Sequence, residues 1–434
     1  MNLFSIFNKD SDSVISRISS GTSWVLIGTL SSKAFVFVAT ILIARILPKE
    51  VYGQLSIIRS TIALFVSLSA FGVGATATRY IAEYRKSDPK KAIKMYYVAN
   101  SFVWIMAIVS TAVLMYCAET LASDRLHSPD MTVELRIAAI ILFFTLLNGA
   151  QTGTLSGFED FQWIAKCQVI MGITEIIALC AGAYFFGLKG AVIGFGLTYC
   201  VAWVYNSIGI RRHLKAFGIS VISEIRHLHF ADFKPLVSFS LPVAATSWLQ
   251  MIVYWWLKTS VISGAGFENM ANYDIAEQWR SQIAFVPGII ATVVLPILSN
   301  VNKDKDSRRK VIKTNFFINI GTTGLLAIVI SLFGPFVLML YGNQYTNLIP
   351  LYFLCFCAIF DSISSLSGTI LMSAKKVVWA LGTNLLWAIS LWCVYHLLTS
   401  IVIPLENVLA ISYFLAAVIQ SVCILAVIKV LRLY

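Results

Sequence analysis

Runs of about twenty apolar residues recur along this chain with charges almost excluded from them, and that pattern constrains the fold more than any other feature. The first repeat of the pattern spans Thr22 to Lys94. Thr22 to Leu47 is long enough to cross a hydrocarbon core of roughly 30 Å as one helix. Pro48-Lys49-Glu50-Val51-Tyr52-Gly53 then turns the chain, because Pro and Gly stop one helix and start the next. A return helix runs to about Arg79. Arg79, Arg85, Lys86, Lys90, Lys91 and Lys94 crowd its far end, which marks a cytoplasmic side by the positive-inside rule. Everything downstream repeats this out-and-back unit.

The apolar segments are 22–47, 53–78, 95–117, 134–155, 163–186, 190–210, 235–258, 272–298, 312–340, 348–373, 377–400 and 406–430. They predict an all-α polytopic membrane protein of about twelve transmembrane helices with both termini in the cytoplasm. The basic segment 211–234 is the longest internal linker. It leaves residues 1–21 as a cytoplasmic N-terminal segment, 22–210 as one six-helix bundle and 235–434 as a second. The halves read as a diverged, pseudo-symmetric parallel repeat, in which Arg59-Ser60 of the second span answers Arg280-Ser281 of the eighth. Prolines inside spans are confined to the second half. Pro242 and Pro287 are the hinge candidates, since proline removes a helix hydrogen bond and permits a kink.

The 33 Lys and Arg outnumber the 21 Asp and Glu, and a net charge of +12 on a soluble chain would suggest nucleic acid. Here most of the cations fall in segments on the cytoplasmic side, so the excess is a topology signal and no nucleic-acid partner is expected. Hydrophobic residues make up 58% of the chain, above the 45–50% or so of soluble domains. No loop is long enough to fold as a nucleotide-binding or transferase domain. Phosphate-cradling glycine loops, dinucleotide fingerprints and nucleophile–base pairs are absent from the sequence. The eight Cys lie in or beside apolar runs without metal-ligand spacing. The chain reads as a carrier rather than an enzyme, with no metal and no cofactor, and a proton or Na+ gradient is the candidate for coupling.

Three stretches carry a family likeness. Ala44-Arg45-Ile46-Leu47-Pro48-Lys49-Glu50-Val51-Tyr52-Gly53 and Gly72-Val73-Gly74-Ala75-Thr76-Ala77-Thr78-Arg79-Tyr80-Ile81-Ala82 resemble signatures of the polysaccharide-transporter family. Gly153-Thr154-Leu155-Ser156-Gly157-Phe158, ahead of Phe161, resembles a third. That family holds the Wzx-type flippases of lipid-linked oligosaccharides, in the superfamily shared with MATE exporters and the lipid II flippase. The resemblance implies a MATE-like fold and a cargo of undecaprenyl-diphosphate-linked oligosaccharide. It also implies membrane lipids and the glycan-assembly proteins of the same pathway as partners.

Charges within the spans give the site candidates, since an ionised side chain at the bilayer centre costs about 2.5–3.5 kcal/mol on insertion scales and calls for water or a partner. Lys33 lies at mid-depth in the first span, and Arg59 and Arg280 lie about two turns into theirs. These three are the expected cavity cations, suited to an anionic head group through the planar fork of Arg and the compact charge of Lys. Glu175, Asp361, Asp274 and Glu277 are the candidates for proton or ion coupling. The bland alternative is mutual neutralisation: Glu277 with Arg280 at i, i+3, or Glu175 with Lys33 across helices. Trp255, Trp256 and Trp279 sit in an aromatic cluster that serves either as an interfacial belt or for sugar stacking.

The expected function is therefore translocation of a lipid-linked oligosaccharide across the cytoplasmic membrane by alternating access. Two rivals stand beside it. A cation-coupled small-molecule exporter on the same fold commonly has a carboxylate in its first helix, where this chain has Lys33. A membrane polymerase or ligase of the same pathway usually has a large outer loop, and the longest here is roughly 118–133.

Overall fold

The computed structural model describes the backbone of residues 14–216, 234–300, 305–374 and 376–431, and side chains within 23–24, 26–215, 248–285, 312–371, 374, 376 and 378–431. Helix α1 (Val14–Ile46) ends where Pro48 opens α2 (Lys49–Ala70). Phe71 and Gly72 then adopt φ of 43° and 64°, which breaks the helix before α3 (Val73–Tyr84). The sequence predicted one span over 53–78. The left-handed pair stops it, since consecutive positive φ angles cannot continue a right-handed helix. Helix α4 (Pro89–Thr120) begins with Asp88 as N-cap, its carboxylate accepting from the Lys91 amide at 3.1 Å, and with Pro89 in the first turn, where a missing N–H costs nothing.

Helix α5 (Thr132–Gly157) and helix α6 (Phe161–Ala216) follow, the latter bent at Gly187, whose φ of 59° and ψ of −137° reverse the chain inside what would otherwise be one 56-residue helix. Then come α7 (Lys234–Ala265), α8 (Phe267–Asn300), α9 (Lys305–Leu332), α10 (Gly334–Met339), α11 (Leu348–Ser373), α12 (Val377–Leu398) and α13 (Leu405–Val430). Among the described residues, nine segments are long and apolar enough to cross a membrane. One of them, Phe161–Lys215, crosses twice because of the bend at Gly187, and α7 and α8 are the two further helices of spanning length. The chain is an all-helical, multi-pass membrane protein, as the hydropathy pattern predicts. Its exposed Ile105, Ile108, Phe185, Phe186, Phe317 and Leu325 are lipid-facing, where apolar exposure carries no penalty.

Packing groups the chain into two compact units. The first comprises Met1–Ile46, Thr61–Asp124 and Ser128–Ala245; the second comprises Leu47–Ser60, Arg125–His127 and Thr246–Tyr434. The first turns of α2, as far as Ser60, thus cluster with the second unit and the rest of α2 with the first. Of the linker expected over 211–234, residues 217–233 lie outside the described set.

The family-like stretches are packing devices. In the first unit a Cβ at Gly153 would meet the Gly74 carbonyl oxygen at 2.3 Å, so α3 and α5 touch backbone to backbone. The Thr78 hydroxyl spans the seam, 2.8 Å from the Gly153 oxygen and 2.9 Å from that of Gly74. Val73, Ala77, Ile81, Val98, Leu142 and Leu146 form the core beside it. In the second unit a Cβ at Gly53 would meet the Phe267 carbonyl oxygen at 2.0 Å, which fixes the start of α2 against the start of α8.

Candidate functional site

Helix α8 places Tyr273, Glu277 and Arg280 at steps of four and three, hence along one face. Helix α7 places Tyr254 and Lys258 one turn apart, and α11 does the same with Cys357 and Asp361. These faces meet in the interior of the second unit. Lys258 Nζ donates to Glu277 Oε2 at 2.5 Å and to the Ser60 hydroxyl at 3.1 Å. Arg280 Nη1 donates to Asp361 Oδ2 at 2.5 Å, and its Nη2 lies 3.6 Å from Glu277 Oε1. The four charges form an unbroken line from Lys258 through Glu277 and Arg280 to Asp361, with side-chain exposures of 4%, 18%, 15% and 20%.

Tyrosines wall this line. The Arg280 guanidinium sits 4.6 Å from the ring centre of Tyr413, and the Lys258 ammonium sits 4.7 Å from that of Tyr254. The hydroxyls of Tyr254 and Tyr273 are 3.0 Å apart. Aromatic faces attract cations most strongly where water is scarce, so the rings help hold both side chains in place. Two cations and two carboxylates in contact sum to zero. As it stands, the cluster exerts no net pull on a distant anion, although its guanidinium is shaped to bind one.

Glu277 and Arg280, which helical spacing pairs in the sequence, are thus brought together with Asp361 from another helix. Lys258 completes the cluster and sequence reasoning passed over it. The apolar segment read from the sequence stops at residue 258, whereas α7 runs on to Ala265 and buries this lysine to 3% exposure. The signal available was its position one turn after Tyr254 in an aromatic run.

The other expected residues lie apart. Asp274 belongs to a polar knot one turn earlier on α8, where Tyr52 donates to it at 3.2 Å and Gln278 at 3.0 Å. Arg59 is half-buried on α2, within the second unit. In the first unit, half-buried Lys33 on α1 is level with about residue 170 of α6, since Gly28 abuts Ala165 and Gly172 abuts Phe35. Glu175, 7% exposed, lies about 8 Å further along the same helix pair. Trp255 is buried, and the Arg125 guanidinium covers Trp256 at 3.8 Å. Trp279 is half-buried beside Arg280 on α8. Pro242 and Pro287, the hinge candidates, fall within α7 and α8 but outside the described side chains.

A second charged group occupies the turn between α5 and α6. Arg85 donates to the Phe158 carbonyl at 2.8 Å and pairs with Glu159. His213 bonds Asp160 at 2.8 Å and stacks on Phe158 with ring centres 4.9 Å apart. The His213 hydrogen bond holds the Asp160 carboxyl below its ordinary range, aided by the Trp163 amide, against the opposing effect of burial. This turn fastens the third family-like stretch and has the look of a structural clasp.

Known proteins share both sequence and shape with this chain. WzxC of Escherichia coli (strain K12), a lipopolysaccharide biosynthesis protein, is 23% identical over 379 residues, which cover 82% of this chain and 70% of that protein. A putative O-antigen transporter of Shigella flexneri is 22% identical over 283 residues, 63% of this chain and 64% of the relative. Among solved structures, the inward-facing conformation of a multidrug resistance MATE family transporter of the MOP superfamily matches with a TM-score of 0.76. That match covers 94% of this chain and 99% of the other at 13% identity. A MOP superfamily transporter from Pyrococcus furiosus matches with a TM-score of 0.68 over 96% of each chain at 15% identity. Residues 18–302 match the family described as "Polysaccharide biosynthesis protein", and the chain belongs to that family.

Proposed function

We propose that this protein is a flippase: it moves an undecaprenyl-diphosphate-linked oligosaccharide, the repeat unit of an O-antigen, capsule or exopolysaccharide, across the bacterial cytoplasmic membrane by alternating access. The observation that carries this reading is the kinship of residues 18–302 with polysaccharide biosynthesis proteins on an exporter fold. The physical task is to pass a charged, hydroxyl-rich head group through a medium of low dielectric while the polyprenyl tail stays in lipid. Cations that are already desolvated among membrane helices, as Lys258 and Arg280 are, offset part of that cost. Both termini lie in the cytoplasm on this reading, and the cargo comes from and passes to the glycan-assembly proteins of the same pathway. The exporters of known structure share 13–15% identity and support the architecture alone.

The test is translocation by the purified protein in sealed vesicles, using a fluorescent undecaprenyl-diphosphate oligosaccharide and a quencher that reaches only the outer leaflet. Protein-dependent movement between leaflets is expected. Absence of movement with folded protein, together with no accumulation of lipid-linked repeat units in cells lacking the gene, would refute the reading.

A further inference from the structure

The Lys258–Glu277–Arg280–Asp361 line is neutral, so an anion reaching Arg280 meets a guanidinium edge already taken by Asp361 at 2.5 Å. Binding there requires exchange of one oxyanion for another. Exchange leaves either a displaced, poorly solvated carboxylate beside the incoming anion or a neutral carboxyl group. Like charges at close range in a site this dry repel by several kcal/mol, so the neutral group is favoured.

We propose that Asp361 is a proton-operated stand-in for the cargo phosphate: it takes up one proton as an oxyanion binds Arg280 and gives it up when Arg280 returns. The proposal rests on the flippase reading for the identity of the anion, a prenyl-linked diphosphate. The balance is simple. Asp361 gains a proton from water, the N–H donors of Arg280 pass from a carboxylate to phosphate oxygens, and the protein groups of the line change from net zero to net +1.

Geometry selects Asp361 over Glu277. Glu277 holds two cations, Lys258 at 2.5 Å and Arg280 at 3.6 Å, so neutralising it leaves two positive groups facing each other without a counter-ion. Among the described residues Asp361 is paired with one cation, Arg280, and it is the most exposed member of the line. Its other titratable neighbours are Cys357, with Sγ 3.9 Å from Asp361 Oδ1 on the same helix, and Tyr413 from α13, which lies over Arg280. Helix α8 presents Glu277 and Tyr273, and α7 presents Lys258 and Tyr254. Helix α9 has its described titratable group, Lys313, beside Ile312, which packs with Ile370 and Leu371, about 14 Å along α11 from Asp361. Helix α12 has Cys393, Tyr395 and His396 in its last turns, with Tyr395 bonded to Ser260. Arg280 is thus the cation that Asp361 would release.

Linkage makes the relation reciprocal: if proton uptake accompanies anion binding, lower pH must tighten it. The experiment uses the full chain in nanodiscs with geranyl diphosphate as probe, followed by calorimetric titration between about pH 6 and 8.5. Protonation of the probe is common to all variants and cancels in their ratio. The affinity of wild type relative to Asp361→Asn should fall as pH rises, approaching tenfold per unit. Asp361→Asn should bind more tightly than wild type at the alkaline end, and Arg280→Gln should lose binding. Should Asp361→Asn fail to fold, wild type alone suffices. Near pH 8, where the diphosphate is fully ionised, titrations in two buffers of different ionisation enthalpy should show about one proton taken up per anion.

A pH-independent ratio, no proton uptake, or no binding by wild type at any pH would overturn the proposal. Flipping in vesicles by a protein that shows no such linkage would defeat this proposal while leaving the flippase reading standing. Linkage without flipping would uphold the anion site and defeat that reading.

Discussion

Lys258 offers the sharpest test of the buried cluster. At 2.5 Å from Glu277 and an effective dielectric of about 20, its Coulomb attraction is about 6–7 kcal/mol, most of which is offset by desolvating both ions. Removing one partner is different, because the other remains buried and uncompensated. Breaking such a pair costs about 3–5 kcal/mol. Lys258→Met keeps the length and the apolar stem but leaves Glu277 leaning on Arg280 at 3.6 Å, in competition with Asp361. At about 2 °C per kcal/mol for a large domain, the melting temperature in detergent should fall by about 6–10 °C. Glu277→Gln should cost a similar amount, since it strands the ammonium. The double variant Lys258→Met/Glu277→Gln should recover most of the loss, as neutral replacements of buried pairs often do. The assay is unfolding followed by intrinsic tryptophan fluorescence. A wild-type melting temperature for Lys258→Met, or a double variant no better than the worse single, would refute this reasoning.

Three further outcomes follow from the same structure. Gly53→Ala pushes a methyl into the Phe267 carbonyl and should sharply reduce the folded fraction on size exclusion, whereas Gly149→Ala, with open space around it, should be tolerated. The Asp160 carboxyl has a depressed folded value, so its stabilisation is full above the unfolded value of about 3.9 and is lost as pH falls through the folded value. Asp160→Asn should therefore melt below wild type at neutral pH, and the gap should close on acidification. Topology reporters after Lys91, Lys215 or Arg309 should report cytoplasm, and insertions near Ser128 or Asn343 should report outside; an external signal at Lys215 would break the expected six-and-six division.

What the sequence made legible, and what it did not, divides along a physical line. Span length and hydropathy come from the bilayer's thickness, a property outside the protein, so they read directly from composition. Breaks were harder. Phe71-Gly72 interrupts the single span expected over 53–78, because a glycine in an apolar run reads equally as close packing or as a left-handed stop. Charge partners were harder again. Glu277 and Arg280 are three residues apart and helical periodicity pairs them at once. The shorter contacts lie across helices: Lys258 is 19 residues from Glu277, and Arg280 is 81 from Asp361. No periodic rule reaches that far.

The residues that carry the family likeness hold helices together rather than choose a cargo. Gly53 abuts Phe267, Tyr52 anchors Asp274 and Gln278, and Gly74 meets Gly153 under Thr78. Backbone contacts of this kind tolerate almost no substitution, because an added Cβ has nowhere to go. Such positions can persist while the rest of the chain diverges, so kinship at 22–23% identity speaks for the scaffold more strongly than for the glycan. The chemistry lies elsewhere, on faces of α7, α8 and α11 that the likeness does not mark. There, two cations are held by two carboxylates, and in the proposal above the charge presented to a cargo depends on a single proton. A count of cations alone would call the site positive, and a count of all charges would call it inert. The contacts separate the two carboxylates: among the described residues Glu277 is paired with two cations and Asp361 with one, and that difference is what selects Asp361 in the proposal.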